Sequence, residues 1–197
     1  YSIWQKEDLI NIERQDLPDL KCFKAYDVRG IVDVEIDEDI CYRIGRAFAT
    51  ILKAKKVVVG RDIRSSSELF AKNLIRGLVD RDVTVIDIGL CGTEEVYWAT
   101  SQFQACGGIE ITASHNPINY NGMKFVKSFS RPIEPEKDLI KIKKLTEKNN
   151  FGRPLKNGKV INKEEEARSL YIKKILSFIK LEDFNKKLKI VVNCGNG

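Results

Sequence analysis

Histidine and methionine are nearly absent from this sequence, and its cysteines are scattered. It has one histidine, His115, one methionine, and five cysteines that form no Cys-x-x-Cys pair. A single imidazole excludes a histidine-rich metal site, and an odd number of unpaired cysteines suits a reducing compartment. We therefore expect a cytoplasmic protein.

Long apolar runs are also lacking, which excludes a membrane span. Residues 1–20 have no basic start followed by an apolar stretch, so we expect no secretory signal. The 197 residues are 43% hydrophobic and 31% charged, which excludes a disordered chain, a collagen and a disulfide-stabilised miniprotein. We expect one full domain with part of another, and no membrane partner.

The excess of positive charge is confined to the C-terminal quarter. There are 34 Lys and Arg against 28 Asp and Glu, and residues 141–190 hold 15 of the basic and 6 of the acidic residues. The lysines in this stretch alternate with apolar residues at helical spacing, which favours a solvated helix face over a site for a polyanion. We therefore expect no nucleic-acid partner.

Helix and strand signals alternate along most of the chain. Apolar residues at helical spacing follow Asp37, a candidate N-cap, and predict a helix. The β-branched run 57–59 predicts a buried strand, with further strands at 83–88 and 107–112 and helices between them. This alternation is typical of βαβ units and predicts an α/β fold, a mainly parallel sheet with helices on both faces.

The later part of the chain predicts one more strand and a domain boundary. A turn signal at 120–122 precedes a strand predicted at 123–128. The stretch 149–154 is rich in Asn, Gly and Pro, so we expect an exposed, protease-sensitive boundary there. A helix near 163–179 and a strand at 188–192 then predict the start of another α/β unit. The predicted organisation is an N-terminal extension at 1–21, a first domain at 22–150, and an incomplete βα portion of a second domain at 151–197.

Ligand sites of such sheets lie outside the carboxyl ends of the strands, and Ser114 and His115 follow one of those ends. A hydrolase pair is a poor interpretation, because adjacent side chains on an extended segment point apart and there is no second histidine. Ser114, Asn116 and Pro117 could simply be turn residues. Alternatively, Ser114 could be a nucleophile that carries a phosphoryl group.

A phosphoserine needs cationic side chains and backbone amides to spread its charge. Basic residues predicted in loops or at the ends of segments could supply that charge. They are Arg29, Arg61, Arg64, His115 and Lys124. Among the basic residues of the chain, we interpret Arg64 and Lys127 as ordinary surface residues.

Several segments, in their order and spacing, resemble the α-D-phosphohexomutases. The T-A-S-H-N-P run at 112–117 is highly specific, and the run at 91–97 is most similar to that of bacterial phosphomannomutases. The other matching segments are 23–30, 59–62, 107–110 and 120–124. The resemblance extends from about Cys22 to Gly197, and the fold that it implies is the mixed, mainly parallel sheet of the family's first domain.

The resemblance implies reversible transfer of a phosphoryl group between O6 and O1 of a hexose phosphate, through a hexose 1,6-bisphosphate. Mannose phosphate is the substrate implied by the closest resemblance. Ser114 would carry the phosphoryl group and, through it, would bind one Mg²⁺. The other implied site residues are His115 and Lys124 as acid or base candidates, and Tyr26, Arg29, Arg61 and Asn116 as substrate- or phosphate-binding residues.

Members of this family have four domains and are longer than this chain. Their further loops supply magnesium carboxylates, distinguish the sugars and bind the distal phosphate, so we expect negligible mutase turnover from this chain by itself. Glucose phosphate, or both sugars, are alternative substrates. A noncatalytic module that binds a phosphosugar is the alternative from a different functional class.

Overall fold

A mixed β-sheet organises the part of the chain that the structure describes. The structure is a computed structural model, and it describes residues 19–155, 157–180, 187 and 189–193. Six strands occur in this part: β1 (Val28–Ile31), β2 (Lys56–Arg61), β3 (Thr84–Leu90), β4 (Gly107–Ile111), β5 (Tyr120–Lys127) and β6 (Lys159–Asn162). Their order across the sheet is β1-β5-β4-β2-β3-β6. Among these six, β5 runs opposite to the other five.

Helices cover both faces of this sheet. The described α-helices are α1 (Glu38–Ile51), α2 (Ser67–Val79), α3 (Thr93–Gln102), α4 (Ile140–Lys148) and α5 (Glu164–Leu176). A 3₁₀ turn (Ser128–Ser130) follows β5, and a π-helical turn (Pro135–Leu139) leads into α4. Asp37 caps α1 as predicted, since its carboxylate accepts a hydrogen bond of 2.7 Å from the amide of Ile40.

The hydrophobic core has two layers, one on each face of the sheet. Alternate residues of a strand point to opposite faces, and β2 follows this rule. Val57 and Val59 join the cluster beneath α1, α2 and α4, whereas Val58 joins the cluster beneath α3 and α5. The predicted α/β class, with a mainly parallel sheet between two layers of helices, is confirmed.

The sheet continues past the boundary predicted after residue 150. β6 pairs with β3 in parallel, and Ala167 of α5 is buried in the same cluster as Val58. The rings of Trp98 and Tyr171 also meet, with centroids 5.4 Å apart. The predicted boundary therefore does not separate β6 and α5 from the first sheet.

Other parts of the predicted organisation lie outside the described residues or differ from the structure. The predicted extension at 1–21 is described from residue 19 onward. In the strand predicted at 188–192, residue 188 is outside the described part and 189–192 form no strand. β5 begins at Tyr120, where a turn was predicted. None of the helices in the described segments has the length and hydropathy needed to cross a membrane.

Candidate functional site

Ser114 lies in the loop that joins β4 to β5, at the sheet edge where the parallel strands end. Its φ of 55° is in the left-handed region, which residues other than glycine seldom adopt. The amide of Ser114 donates a hydrogen bond of 2.9 Å to the hydroxyl of Thr112, and the serine is exposed to solvent. The loop therefore presents a hydroxyl group at the position where α/β sheets bind ligands.

The side chain of His115 lies beside that of Ser114. The distance between Ser114 Oγ and His115 Nδ1 is 3.5 Å, at the outer limit of a hydrogen bond. The expectation that these adjacent side chains point apart is wrong, because Ser114 is in the left-handed conformation and the segment is not extended. The geometry brings a proton acceptor or donor next to the hydroxyl group.

Asn116 fixes the tip of this loop. Its side-chain amide and its backbone amide both donate to the carbonyl of Ala113, at 2.8 and 3.1 Å. Side-chain to backbone hydrogen bonds of this kind stabilise tight turns. Asn116 therefore holds the loop, and the binding role that the family resemblance implies for it stays a prediction.

Arg64, interpreted from the sequence as an ordinary surface residue, is the most connected side chain at the site. Its side chain is 13% exposed, and its Nε lies 3.4 Å from the carboxylate of Asp62. It also donates to four backbone carbonyls of the Ser114 loop: Nη1 to Pro117 (2.8 Å) and Tyr120 (3.0 Å), and Nη2 to Ser114 (2.9 Å) and Asn116 (2.7 Å). The interpretation as a surface residue is therefore wrong.

A second set of polar groups fixes the segment that carries Arg64. One oxygen of Asp62 accepts hydrogen bonds from the Arg64 amide, at 3.0 Å, and from the Ser67 hydroxyl, at 2.5 Å. Asn121, which is fully buried at the start of β5, donates its side-chain amide to Ser66 at 2.8 Å and to Ser67 at 3.0 Å. These bonds connect the segment after β2 to the C-terminal end of the Ser114 loop.

The structure does not bring Arg29 or Tyr26 into contact with Ser114. Arg29 lies on β1 opposite Gly122 and pairs with Asp27 at 2.5 Å. Tyr26 is 76% exposed and lines an open cavity of about 770 Å³ against the π-helical turn and α4, away from the Ser114 loop. Both residues lie on the N-terminal segment that the resemblance assigns to the site.

Lys124 and Arg61 are near the same sheet edge but make few contacts. Lys124 lies on β5 directly opposite Glu110 of β4, and its ammonium has no hydrogen bond or ion pair within the described residues. Arg61 ends β2 opposite Ile111. Within the same described part of the chain, the Arg61 guanidinium also makes no hydrogen bond. Lys127, the other basic residue interpreted as ordinary, pairs with Glu134 and Asp138 at the far end of β5.

Glu110 is a buried acid that sequence reasoning did not single out. The residue is 1% exposed. Burial raises the pKa of Glu110 to about 9; the hydrogen bond from Cys91 opposes this shift, while the charge of Asp62 adds to it. Burial also raises the pKa of the Cys91 thiol, and the charge of Glu110 adds to that shift. Glu110 is therefore protonated at neutral pH, which explains how a carboxyl group is tolerated in this position.

Magnesium was expected at this site through a phosphate on Ser114. Among the described residues, no three His, Cys, Asp or Glu side chains are grouped closely enough to hold a metal ion. Mg²⁺ requires several ordered oxygen ligands. The described residues therefore do not by themselves fit a magnesium site.

Comparisons with known proteins show the family of this chain. A family model described as "Phosphoglucomutase/phosphomannomutase, alpha/beta/alpha domain I" matches residues 20–153. A phosphomannomutase of Klebsiella pneumoniae is 54% identical over 132 residues, which cover 67% of this chain and 84% of that protein. A phosphomannomutase of Escherichia coli is 47% identical over 180 residues, which cover 90% of this chain and 39% of that protein.

Solved structures show the same architecture. A phosphoglucomutase/phosphomannomutase family protein from Burkholderia thailandensis superposes with a TM-score of 0.71 at 29% identity, over 81% of this chain and 36% of that one. This chain spans about two fifths of the length of the Escherichia coli relative. Because the family model covers more than half of this chain, the chain belongs to the phosphoglucomutase/phosphomannomutase family.

Proposed function

We propose that this chain is the phosphoserine-bearing part of a phosphomannomutase, an isomerase that interconverts mannose 6-phosphate and mannose 1-phosphate. Family membership supports a phosphohexomutase, and the curated relatives named phosphomannomutase favour mannose as the sugar. The observation that carries the proposal is the exposed Ser114 hydroxyl on a loop fixed by Arg64 and Asn116.

Ser114 is the phosphoryl carrier in this proposal. The bond between phosphorus and Ser114 Oγ breaks as a bond forms to the sugar hydroxyl oxygen. That hydroxyl gives up its proton, and Ser114 Oγ becomes a free hydroxyl again. The product of this half-reaction is a hexose 1,6-bisphosphate, and return of its other phosphoryl group to Ser114 completes the isomerisation. A carrier serine lets one site serve both directions.

The neighbouring residues have proposed roles that follow their positions. His115 lies within 3.5 Å of Ser114 Oγ and is suited to take up or return a proton. Lys124 has an ammonium with no partner in the described part of the chain, so it is able to offset phosphate charge or act as an acid. The remaining proposed binding residues for the phosphosugar are Tyr26, Arg29, Arg61 and Asn116.

Mg²⁺ and a hexose 1,6-bisphosphate activator remain part of the proposal. When bound, Mg²⁺ would neutralise charge on the phosphate that Ser114 carries. A cytoplasmic location, and the absence of nucleic-acid and membrane partners, also remain predictions.

The test is whether a hexose 1,6-bisphosphate phosphorylates Ser114. We expect incubation with glucose 1,6-bisphosphate to add about 80 Da, the mass of one phosphoryl group, at Ser114. Ser114→Ala should abolish the label, and Ser128→Ala, which removes a hydroxyl at the opposite end of β5, should leave it unchanged. A folded wild-type chain without label would instead indicate a noncatalytic phosphosugar-binding module.

The preferred sugar is tested on labelled protein that includes the loops by which the family distinguishes the sugars. We expect mannose 6-phosphate to discharge the phosphoserine faster than glucose 6-phosphate, as followed by loss of the added mass. Faster discharge by glucose 6-phosphate would favour a phosphoglucomutase, and equal rates would favour an enzyme that accepts both sugars.

A further inference from the structure

We infer that Arg64 is a positioning residue of this site: its guanidinium holds the Ser114 loop in the conformation from which the phosphoryl group is transferred. The inference rests on the proposed role of Ser114 as the phosphoryl carrier. It concerns a side chain that does not itself contact the reacting atoms.

Protein groups occupy all the donors of the Arg64 guanidinium, through four hydrogen bonds and one ion pair. A guanidinium group has five N–H donors. Four of them are directed at the carbonyls of Ser114, Asn116, Pro117 and Tyr120, and the Nε group faces Asp62. No donor is left over for a substrate phosphate, so Arg64 acts on the loop and not on the ligand.

The support for Arg64 is itself rigid. Asp62 accepts hydrogen bonds from the Arg64 amide and from Ser67, and Ser67 accepts one from the buried Asn121. The guanidinium is thus held in place before any ligand binds. A planar, charged group that bonds several carbonyls at once restricts a loop more strongly than separate single bonds do.

The hydrogen bond from Arg64 to the Ser114 carbonyl also fixes the direction of the next backbone amide, that of His115. All peptide bonds in the described residues are trans, so the N–H of a peptide points away from its carbonyl. Because the Ser114 carbonyl faces Arg64, the amide of His115 is turned away from Arg64. This amide has no hydrogen-bond partner within the described residues, so it is available to an anion at the loop.

The experiment compares the rate of Ser114 phosphorylation over a range of glucose 1,6-bisphosphate concentrations in wild-type protein and Arg64→Lys. Lysine keeps the positive charge but loses the planar fork of donors. We expect the maximal rate to fall roughly 100-fold, the effect of a small misplacement of a reacting group. The half-saturating concentration should not change, because Arg64 has no free donor for the ligand.

Arg46→Lys is the matched control. Arg46 is also a buried arginine that donates to backbone carbonyls, those of Phe151 and Gly152, on a loop far from Ser114. We expect Arg46→Lys to lower the stability of the protein while leaving the rate of Ser114 labelling unchanged.

Hydrogen exchange and chemical rescue test the loop directly. Backbone hydrogen exchange should become faster at residues 113–120 in Arg64→Lys, and it should stay slow in β4 in both Arg64→Lys and Arg46→Lys. Arg64→Ala with added guanidinium ion provides a second test, in which the rate should partly recover.

The other outcomes distinguish a failure of the positioning role from a failure of the proposed function. Labelling of Arg64→Lys at the wild-type rate would overturn the positioning role and leave the proposed function standing. A raised half-saturating concentration at an unchanged maximal rate would show that Arg64 binds the bisphosphate directly, which also overturns it. If Arg46→Lys slowed Ser114 labelling as much as Arg64→Lys does, the effect would be one of general stability, which also overturns the positioning role. A folded wild-type chain that takes no label overturns the proposed function itself.

Discussion

Glu110 has an unusual environment for an acidic side chain, since it is buried on β4 four residues before Ser114. Its carboxyl group accepts a hydrogen bond from the Cys91 thiol, at 3.6 Å. A Cβ atom on Gly60 would lie 2.6 Å from the Glu110 carboxyl group, so the acid occupies space that only a glycine leaves open. The protonated form fits this dry position, and the ionised form is disfavoured there.

The titration of Glu110 predicts that the protein loses stability as the pH rises. The pKa is about 9 in the folded state and 4.5 for an unperturbed group, so between these values the folded state keeps a proton that the unfolded state loses. The stabilising contribution is complete below pH 4.5 and is lost as the pH rises toward 9, at about 1.4 kcal/mol per pH unit.

Glu110→Gln should remove this dependence, because glutamine resembles the protonated acid and does not titrate. Urea denaturation at several pH values between about 5.5 and 8.5 measures the pH dependence of the free energy of unfolding. The control is Glu165→Gln, on the exposed face of α5. Equal pH slopes in wild-type and Glu110→Gln proteins would contradict the assignment.

At the residue scale, the sequence predicts the position of Ser114 better than it predicts the side chains that hold its loop in place. Ser114 and Asn116 lie in a specific local motif, so their positions follow from a short stretch of chain. Arg64 lies 50 residues away and acts through four carbonyl groups. Since backbone carbonyls are present at every residue, no side-chain pattern marks the loop that Arg64 binds.

At the element scale, β1 and β5 approach each other unusually closely at Gly122. A Cβ atom there would lie 2.0 Å from the carbonyl oxygen of Val28, and this neighbour is backbone that cannot rotate away. Gly122 also faces Arg29 across the two strands. The close approach positions the N-terminal strand that carries a proposed phosphate-binding residue.

Gly122→Ala should therefore separate β1 from β5. We expect a loss of about 1–3 kcal/mol in the free energy of unfolding, the usual cost of overpacking, measured by urea denaturation. Gly152→Asn is the control, because Gly152 has open space around it and a φ of 69° that asparagine tolerates. If Gly122→Ala lowered the free energy of unfolding no more than the control does, β1 and β5 would be able to separate without a cost.

The elements that the sequence predicts well are those with long periodic or β-branched signals. α1, β2 and β3 are of this kind and lie close to their predicted positions. β1 and β6 were not predicted, because each has four residues and lies at an edge of the sheet. Short edge strands carry little hydrophobic pattern, since much of their surface faces solvent.

At the scale of the whole molecule, the segment around Phe151 is held against the first domain and does not form a free linker. The Phe151 carbonyl accepts hydrogen bonds from Arg81 at 3.1 Å and from Arg46 at 3.4 Å. The Arg46 guanidinium also lies 4.8 Å from the centre of the Phe151 ring. A local excess of Asn, Gly and Pro predicts a linker, but it contains no information about these distant arginines.

Limited proteolysis with chymotrypsin tests whether the segment around Phe151 is held against the first domain or is a free linker. Phe178 follows α5 and is 69% exposed, whereas Phe151 is partly buried and its carbonyl is bound. Cleavage requires local opening of the backbone. We therefore expect cleavage after Phe178 to precede cleavage after Phe151, as identified by the mass of the fragments, with β6 and α5 retained on the first domain.

The Arg46→Lys variant makes the same experiment specific to the contacts at Phe151. Lysine loses the contact of a flat guanidinium with the ring and at least one of the hydrogen bonds to the loop, so cleavage after Phe151 should become faster while cleavage after Phe178 is unchanged. If wild-type protein is cut first at Phe151, the segment is an exposed linker, and the domain boundary predicted after residue 150 describes the molecule better than the continuous sheet does.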